Sequence, residues 1–423
     1  MNKKLISLAV LGALSSMSCQ VFADEAAAPE AAAPAAAAAP AAAAAAPAAP
    51  VMNGPGMNFP LVGNATPLSF DAGPIGKVYV SGAVSAIGLS QNHATGVSYP
   101  GSITKNTTGD FSNAQVILQK VDGLVQFYVQ AGGYSLPVVG TSYLKASKTT
   151  DHEFGVIPTA YIKIAPNDSF SIQAGKLPTL LGAEYTFTFE NTNIERGLLW
   201  NQENVFTRGV QANYSAGPLA VSASVTDGFY SKDYTWLTGS VAYTINDSNS
   251  VSVVAGGNLD KNNVPDSING YTTPLAQNSG QVYNLIYKYT KGPLTLQPYL
   301  QYTYVPTNHS VGLIIPKSTS TYGAALLANY AVNENVNIGA RAEYIGSSGS
   351  LTDGSQNLLG YGAGSDAWTL TVTPTYQNKG FFVRGEASYV KLSGIDTANS
   401  VGFGKTGTED SQARVMFETG FLF

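Results

Sequence analysis

A repeated pattern of about ten residues of alternating polarity followed by a turn runs from Lys77 to the end of this chain. In residues 125–131, valine, phenylalanine and alanine alternate with glutamine and tyrosine. Successive side chains of a β-strand point to opposite faces, so each segment has one apolar and one polar face. Segments of this length and pattern are typical of transmembrane β-barrels.

The pattern predicts an all-β, antiparallel barrel of about 16 strands, within a range of roughly 14 to 18. The approximate spans are 78–90, 113–121, 124–131, 156–164, 170–175, 207–214, 219–226, 237–245, 250–257, 281–289, 294–304, 321–330, 336–345, 367–376, 381–391 and 411–423. Short links alternate with longer ones along this series. Short turns on one side and long loops on the other are expected of outer-membrane barrels.

The tyrosines indicate which face meets the membrane. A soluble β-sandwich also alternates, but its apolar face would lie inside. Here five tyrosines of the apolar set each come just before a short turn, namely Tyr214, Tyr243, Tyr289, Tyr330 and Tyr376. A girdle of aromatic residues at the membrane interface explains this placement, whereas a sandwich core does not. We therefore expect the apolar set to face lipid.

Composition agrees with this interpretation. Charged residues make up 12% of the chain, compared with about 25% in a typical soluble domain. The formal net charge of -5 provides no basic surface for nucleic acid. Beyond the first residues, no apolar run is long enough for a membrane-spanning helix.

The sequence divides into three parts. Residues 1–23 resemble a signal peptide, with two lysines, an apolar run and a small-residue cleavage site ending at Ala23. Lipidation of Cys19, the single cysteine, is the alternative, but the residues before it fit a lipidation signal poorly. Residues 24–76 begin with an Ala/Pro-rich tract and are predicted to be a periplasmic linker, either a tether or an inert spacer. Residues 77–423 are predicted to form the barrel.

One stretch, between Gly175 and Gly209, does not alternate and concentrates charge in a chain that has little of it. A link of this length usually has a function, and its charges need water. We predict that it folds into the lumen as a pore constriction, the alternative being a surface loop. The predicted constriction residues are Lys176, Glu184, Glu195, Arg196, Glu203 and Arg208.

Six further charges stand opposite the apolar set of their strands and should line the lumen wall. They are Arg341, Glu343, Arg384, Glu386, Arg414 and Glu418. A charge on the lipid face costs about 2–4 kcal/mol at mid-membrane, which favours the inner face. These residues could take part in permeation, or pair with one another and stiffen the wall.

The last strand ends in an aromatic residue. Phe421 and Phe423 belong to its apolar set, and the chain stops at Phe423. A closing strand of this kind resembles the signal by which outer-membrane proteins engage the barrel-assembly machinery. We predict that these two residues form that signal.

Four short stretches in and around the charged segment form a recognisable set, namely Gly175-Lys176, Gly182-Ala183-Glu184, Asn191 to Arg196, and Arg208-Gly209-Val210. In these residues the sequence resembles the OmpL-like family of β-barrel porins. More loosely, the resemblance extends from about residue 77 to the end. It implies a bacterial outer-membrane channel and carries no substrate.

We therefore expect a porin that lets small hydrophilic solutes and ions diffuse passively across the bacterial outer membrane. The alternative is a plugged barrel that acts as a surface adhesin or structural protein. His93, His152 and His309 fall in different predicted loops, so we expect no enzyme, no metal site and no cofactor. The expected partners are outer-membrane lipid, the assembly machinery and the solutes, and the sequence leaves a homotrimer open.

Overall fold

The computed structural model describes residues 61–64, 66–94, 102–260, 267–268, 271–272, 274–310 and 313–423. The predicted signal peptide and the Ala/Pro-rich tract lie outside these residues. In the described part of the chain, sixteen antiparallel strands, β1 to β16, form a closed barrel. Closure comes from the pairing of the last strand with the first as well as with its predecessor. The predicted fold class and strand number are confirmed.

The strands of the barrel are β1 Lys77–Gln91, β2 Thr107–Lys120, β3 Val125–Tyr134, β4 Thr159–Asn167, β5 Phe170–Pro178, β6 Phe206–Ala216, β7 Leu219–Thr226, β8 Trp236–Asn246, β9 Asn249–Asn258, β10 Gln281–Lys291, β11 Leu294–Val305, β12 Thr319–Ala331, β13 Val336–Ser347, β14 Asp366–Asn378, β15 Phe381–Ser393 and β16 Ser411–Leu422. Strand β2 begins at Thr107, well before the predicted residue 113. The register between β1 and β2 shifts at Ser85 and Ala86, which face Asn113 and Phe111, so Ser112 is an extra residue. A bulge interrupts the alternation, and the sequence pattern therefore missed the first part of β2.

Short helical segments and short strands occur before β1 and in the links between the barrel strands. The helical segments are Gly73–Ile75, Ala146–His152, Thr188–Glu190, Trp200–Gln202, Leu275–Asn278 and Thr397–Asn399, and the short strands are Leu68–Asp71, Ser102–Ile103, Tyr143–Leu144, Ser267–Ile268, Tyr271–Thr272, Asn308–Ser310 and Leu313–Ile315. No helix in the described ranges is long and apolar enough to cross a membrane.

The two faces of the barrel wall differ sharply in exposure. On β14, Trp368 and Leu370 are 45% and 52% exposed, whereas Thr369 and Thr371 between and beyond them are 2% and 0% exposed. Because neighbouring residues of a strand point to opposite faces, the apolar side chains are outside and the polar ones inside. Tyr330, just before a short turn, is also half exposed and belongs to the outer set.

The predicted linker already contacts the barrel before residue 77. The short strand Leu68–Asp71 pairs antiparallel with the beginning of β1. Leu61 is buried, and the main chain of Val62 exchanges two hydrogen bonds of 2.8 Å with the side chain of Gln377. Gln377 lies at the end of β14, next to a short turn. Val62 therefore lies at the end of the barrel that carries the short turns. The boundaries of the linker stay a prediction.

Candidate functional site

Residues 179–205, which connect β5 to β6, form an inserted segment inside the barrel. Every residue from 186 to 200 is buried, and this stretch includes the helical turn Thr188–Glu190. The main-chain N–H of Gly182 donates a hydrogen bond to Asn284 of β10, and Gln301 of β11 donates one to the carbonyl of Leu199. These partners belong to the inner face of the wall, so the segment crosses the lumen.

Charged side chains of the wall satisfy the main chain of the inserted segment. Arg384 donates to the carbonyl oxygens of Thr188, Asn191 and Thr192 at 2.8–2.9 Å. Buried main-chain groups need partners, and an irregular segment cannot supply them from a ladder of its own. The wall arginine supplies donors that regular secondary structure would otherwise provide.

Two wall glutamates do the same for N–H groups. Glu386 accepts from the N–H groups of Ile194 at 2.5 Å and Glu195 at 3.0 Å. Glu343 accepts from those of Leu198 at 3.0 Å and Leu199 at 3.4 Å. The middle of the segment is thus held by carboxylates from two strands of the barrel.

Ion pairs connect the segment to the same part of the wall. Arg341 Nη1 lies 2.7 Å from Glu184 Oε1, and its Nε lies 3.1 Å from Glu343 Oε2. Arg414 Nη1 pairs with the carboxylate of Glu195. Breaking such a buried pair by removing one partner leaves an unpaired buried charge, which is strongly destabilising.

A further carboxylate joins the wall and the segment. Glu418 lies 3.4 Å from Arg384 and accepts hydrogen bonds from Ser85 at 3.1 Å, Ser112 at 2.7 Å and Thr188 at 2.6 Å. Ser112 is the extra residue of β2, so the bulge places a hydroxyl on this carboxylate.

All six predicted wall residues therefore face inward and are at most 5% exposed. They include two wall–wall pairs, Arg341 with Glu343 and Arg384 with Glu418, as well as the contacts to the segment. A role in permeation stays a prediction.

Arg196 belongs to the segment and holds two loops together. Its guanidinium donates to the carbonyl oxygens of Pro137, Thr186 and Ile194. It is 0% exposed. Arg196 thereby ties the segment to the loop that follows β3.

Two carboxyl groups of the segment have perturbed acidity. The segment is a loop and not a membrane-spanning strand. Burial raises the pKa of both Glu190 and Glu203 to about 8. Tyr299 of β11 donates a hydrogen bond to Glu203, while Glu190 accepts from the N–H of Phe187 at 2.9 Å. Desolvation disfavours the charged form, so the acid form is favoured at neutral pH.

Lys176 and Arg208 are not brought together with the other four predicted constriction residues. They face one another on β5 and β6 and belong to the outward set, together with Val210, which is 50% exposed. Arg208 Nε lies 2.6 Å from Asp227 Oδ2. The prediction placed Lys176 in the link because β5 was expected to end at residue 175, whereas it continues to Pro178.

Five adjacent strands, β5 to β9, each present a polar, uncharged and half-buried side chain to the lumen opposite β13–β16. Half-buried lysines, Lys163 and Lys288, belong to the inward set of the flanking strands β4 and β10. Gln173, Asn213, Ser222, Ser240 and Ser252 point inward from β5, β6, β7, β8 and β9 and remain accessible to solvent. We call these five residues the neutral wall. Solvent therefore reaches the neutral wall, while the charged residues opposite are buried against the segment.

Sequence reasoning missed several residues that hold the segment, including Asn284, Tyr299 and Gln301. Asn284 Nδ2 donates to Gln301 Oε1 at 2.9 Å. All three lie in the inward set of β10 and β11, so the alternation could have pointed to them. In the described residues, no group of three or more His, Cys, Asp or Glu side chains could hold a metal ion.

The two C-terminal phenylalanines take different positions. Phe421 is 50% exposed on the outer face of β16. The main chain of Phe423 exchanges hydrogen bonds of 3.0 and 3.1 Å with that of Gly82 in β1, at the seam that closes the barrel. Their recognition by the assembly machinery stays a prediction.

The fold is that of outer-membrane porins. The chain is similar to a loop-deletion mutant of OmpT, an outer-membrane protein of Vibrio cholerae, with a TM-score of 0.53 and 15% identity over 82% of this chain and 99% of that one. It is similar to the outer-membrane channel DcaP of Acinetobacter baumannii, with a TM-score of 0.53 and 11% identity over 82% and 97%. For a trimer form of the Vibrio cholerae OmpT, the TM-score is 0.51 and the identity 14% over 82% and 99%.

A search of curated protein sequences finds no match. A sequence model of the family described as "Putative beta-barrel porin-2, OmpL-like" matches residues 77–423, a range that contains all sixteen strands of the barrel. The expected resemblance is confirmed, and it agrees with the closed barrel and its polar interior. The chain therefore belongs to this OmpL-like porin family, and it is a porin channel of the bacterial outer membrane.

Proposed function

We propose that the chain is a passive diffusion channel for small hydrophilic solutes and ions, and that the inserted segment sets its width. The observation that carries the proposal is the asymmetry of the lumen. The six charged wall residues of β13, β15 and β16 are buried and hold the segment, whereas the neutral wall opposite stays accessible to water. Hydroxyl and amide groups can exchange hydrogen bonds with a hydrated solute without binding it tightly.

The constriction in this proposal is formed by Glu184, Glu195, Arg196 and Glu203 of the segment. Their support is indirect, because each is buried and engaged with the wall or with the segment itself. They act by positioning the segment, and the segment narrows the passage. Solutes then pass between the segment and the neutral wall.

The plugged barrel is the second candidate, and one observation favours it. Glu195 and Arg196 in the middle of the segment are 0% exposed, as expected for a closed interior. Single-channel recording of the purified protein in a planar bilayer separates the two functions. Discrete current steps proportional to the applied voltage support the diffusion channel. A bilayer that contains folded protein but carries no current supports the plugged barrel.

A charge placed on the neutral wall tests the path itself. Ser240→Asp should shift the reversal potential in a KCl gradient toward cations, because a carboxylate in a confined passage attracts counter-ions. The control is Ser90→Asp on β1, an outward-facing and exposed serine. An equal shift in both variants, or none in either, would place the ion path elsewhere.

Family and fold are those of a channel, and we infer further that the protein catalyses no reaction. The buried acids and bases bind one another and main-chain groups, which supports a structural use of their charges. Incubation with candidate ester, glycoside and peptide substrates should give no product above the rate of a heat-denatured sample.

We also infer a homotrimer. One similar porin structure is a trimer form, and the outer wall of this barrel carries the apolar surface that three copies could share. Analytical ultracentrifugation in density-matched detergent should give three times the chain mass, and a monomer mass would exclude the trimer.

A further inference from the structure

A groove opens on the outer wall near the ends of β5 and β6 where the long link begins. Its volume is about 650 Å³. Small residues, Ala160, Gly175 and Gly209, form part of its lining, and Val210 and Val225 flank them. Both valines are about half exposed, at 50% and 48%, and face outward. The groove is therefore part of the surface that meets the membrane.

Two cationic side chains line this apolar groove. Lys176 on β5 and Arg208 on β6 are directly opposed in the strand register and both line the groove. The ring of Tyr230 lies 4.1 Å from the Arg208 guanidinium carbon and 5.6 Å from Lys176 Nζ. Ring contacts of this kind hold cations in place without neutralising them.

The positive charge of Lys176 is not cancelled by its partners. Its Nζ donates to the carbonyl oxygens of Phe154 at 3.0 Å and Ile157 at 2.6 Å, which are uncharged. Arg208, in contrast, pairs with Asp227, whose side chain is 0% exposed. These contacts bring no carboxylate to the Lys176 ammonium group, and a channel wall does not require a cation at this position.

The position along the strands explains how the membrane tolerates this charge. Lys176 lies near the end of β5 that leads into the long link, and long links are on the extracellular side of outer-membrane barrels. A charge on the lipid face is least costly near the interface, where lipid headgroups lie. Headgroup phosphates are the anions available at that depth.

We propose that this groove binds a lipid of the outer leaflet, with its headgroup phosphate between Lys176 and Arg208 and an acyl chain along Val210 and Val225. Ammonium and guanidinium groups both form charge-assisted hydrogen bonds with phosphate. Ala160 has only a methyl group, and Gly175 and Gly209 have no side chain, so these residues leave the space that the acyl chain fills. The site lies outside the lumen and is independent of permeation.

Binding is measured by native mass spectrometry of the full-length protein in a neutral detergent, titrated with phosphatidic acid. We expect saturable binding of the lipid, and an affinity lower by about tenfold or more in Lys176→Gln, since hydrogen bonds to a charged group are among the stronger ones. The matched control is Lys291→Gln, which removes an exposed, outward-set lysine next to a short turn at the other end of the barrel. It should bind like the wild type.

A second variant separates binding from folding. Ala160→Leu fills the groove and leaves both cations in place, so it should also weaken binding while heat-modifiable migration stays normal. Diacylglycerol, which has the chains but no phosphate, should bind at least about tenfold more weakly than phosphatidic acid.

Three outcomes would overturn the proposal. If inorganic phosphate displaces phosphatidic acid at equal concentration, the groove is a simple anion site and the acyl chain contributes nothing to binding. Diacylglycerol that binds as tightly as phosphatidic acid would show that the cations take no part. Equal affinities in the wild type and in a folded Lys176→Gln or Ala160→Leu variant would place the lipid elsewhere.

Discussion

Replacing Gly197 with alanine should loosen the inserted segment from the barrel wall. A Cβ atom at this position would lie 2.1 Å from Oε1 and 2.5 Å from both Cδ and Oε2 of Glu343. The N–H of Gly197 is held by Glu184 Oε2 at 2.8 Å, so the main chain cannot simply retreat. The carboxylate of Glu343 must move instead.

The displaced carboxylate loses its hydrogen bonds to the segment. It accepts from Leu198 at 3.0 Å and from Leu199 at 3.4 Å, the second of which is long and weak. A hydrogen bond to a charged group contributes about 1.5–3 kcal/mol, so the free energy of docking should fall by about 2–4 kcal/mol. The population of the undocked segment should then rise by roughly 30-fold to 1,000-fold.

Single-channel recording measures this change as the fraction of time spent in states of larger conductance. Gly239→Ala in β8 is the matched control, because a Cβ atom there meets nothing within 4 Å. In an E343S background, which removes the clashing carboxylate, the further substitution of Gly197 should have little effect. Recordings of a folded Gly197→Ala variant that match those of Gly239→Ala would refute the anchoring role of Glu343.

Three further predictions concern pH and the N-terminal part. Burial raises the pKa of Glu190 and Glu203 from 4.5 to about 8, so docking of the inserted segment is favoured at low pH and weakens as the pH rises through about 8. Single-channel conductance should therefore increase between pH 6 and 9, and it should increase less in Glu203→Gln. A conductance that does not change with pH would contradict the reasoning. Gln377→Ala should expose residues 61–64 to added protease with conductance unchanged, whereas protection equal to the wild type would mean that other contacts hold them. Deleting residues 26–50 should change neither heat-modifiable migration nor conductance, because a Pro-interrupted Ala tract has no strand to pair; slower assembly would give this tract a role in the barrel.

The sequence by itself determined the barrel. Alternation with a period of two is a local property of each strand, and the asymmetry between short and long links fixes which strand ends lie together. Tyrosines such as Tyr330 and Tyr376 marked the outer face, where they are 50% and 41% exposed. The same parity placed Arg341 and Arg384 on the inner face before any contact was known.

Only the tertiary structure decided what these charges bind. Glu184 and Arg341 are 157 residues apart, and closure of the barrel brings them together. Sequence pattern also did not separate Lys176 and Arg208 from the segment, because both flank it in the chain. Their side chains leave on the outer face, since strand parity persists to Pro178 in β5 and begins at Phe206 in β6. Local periodicity fixes the face of a residue, but its partner depends on how the sheet closes.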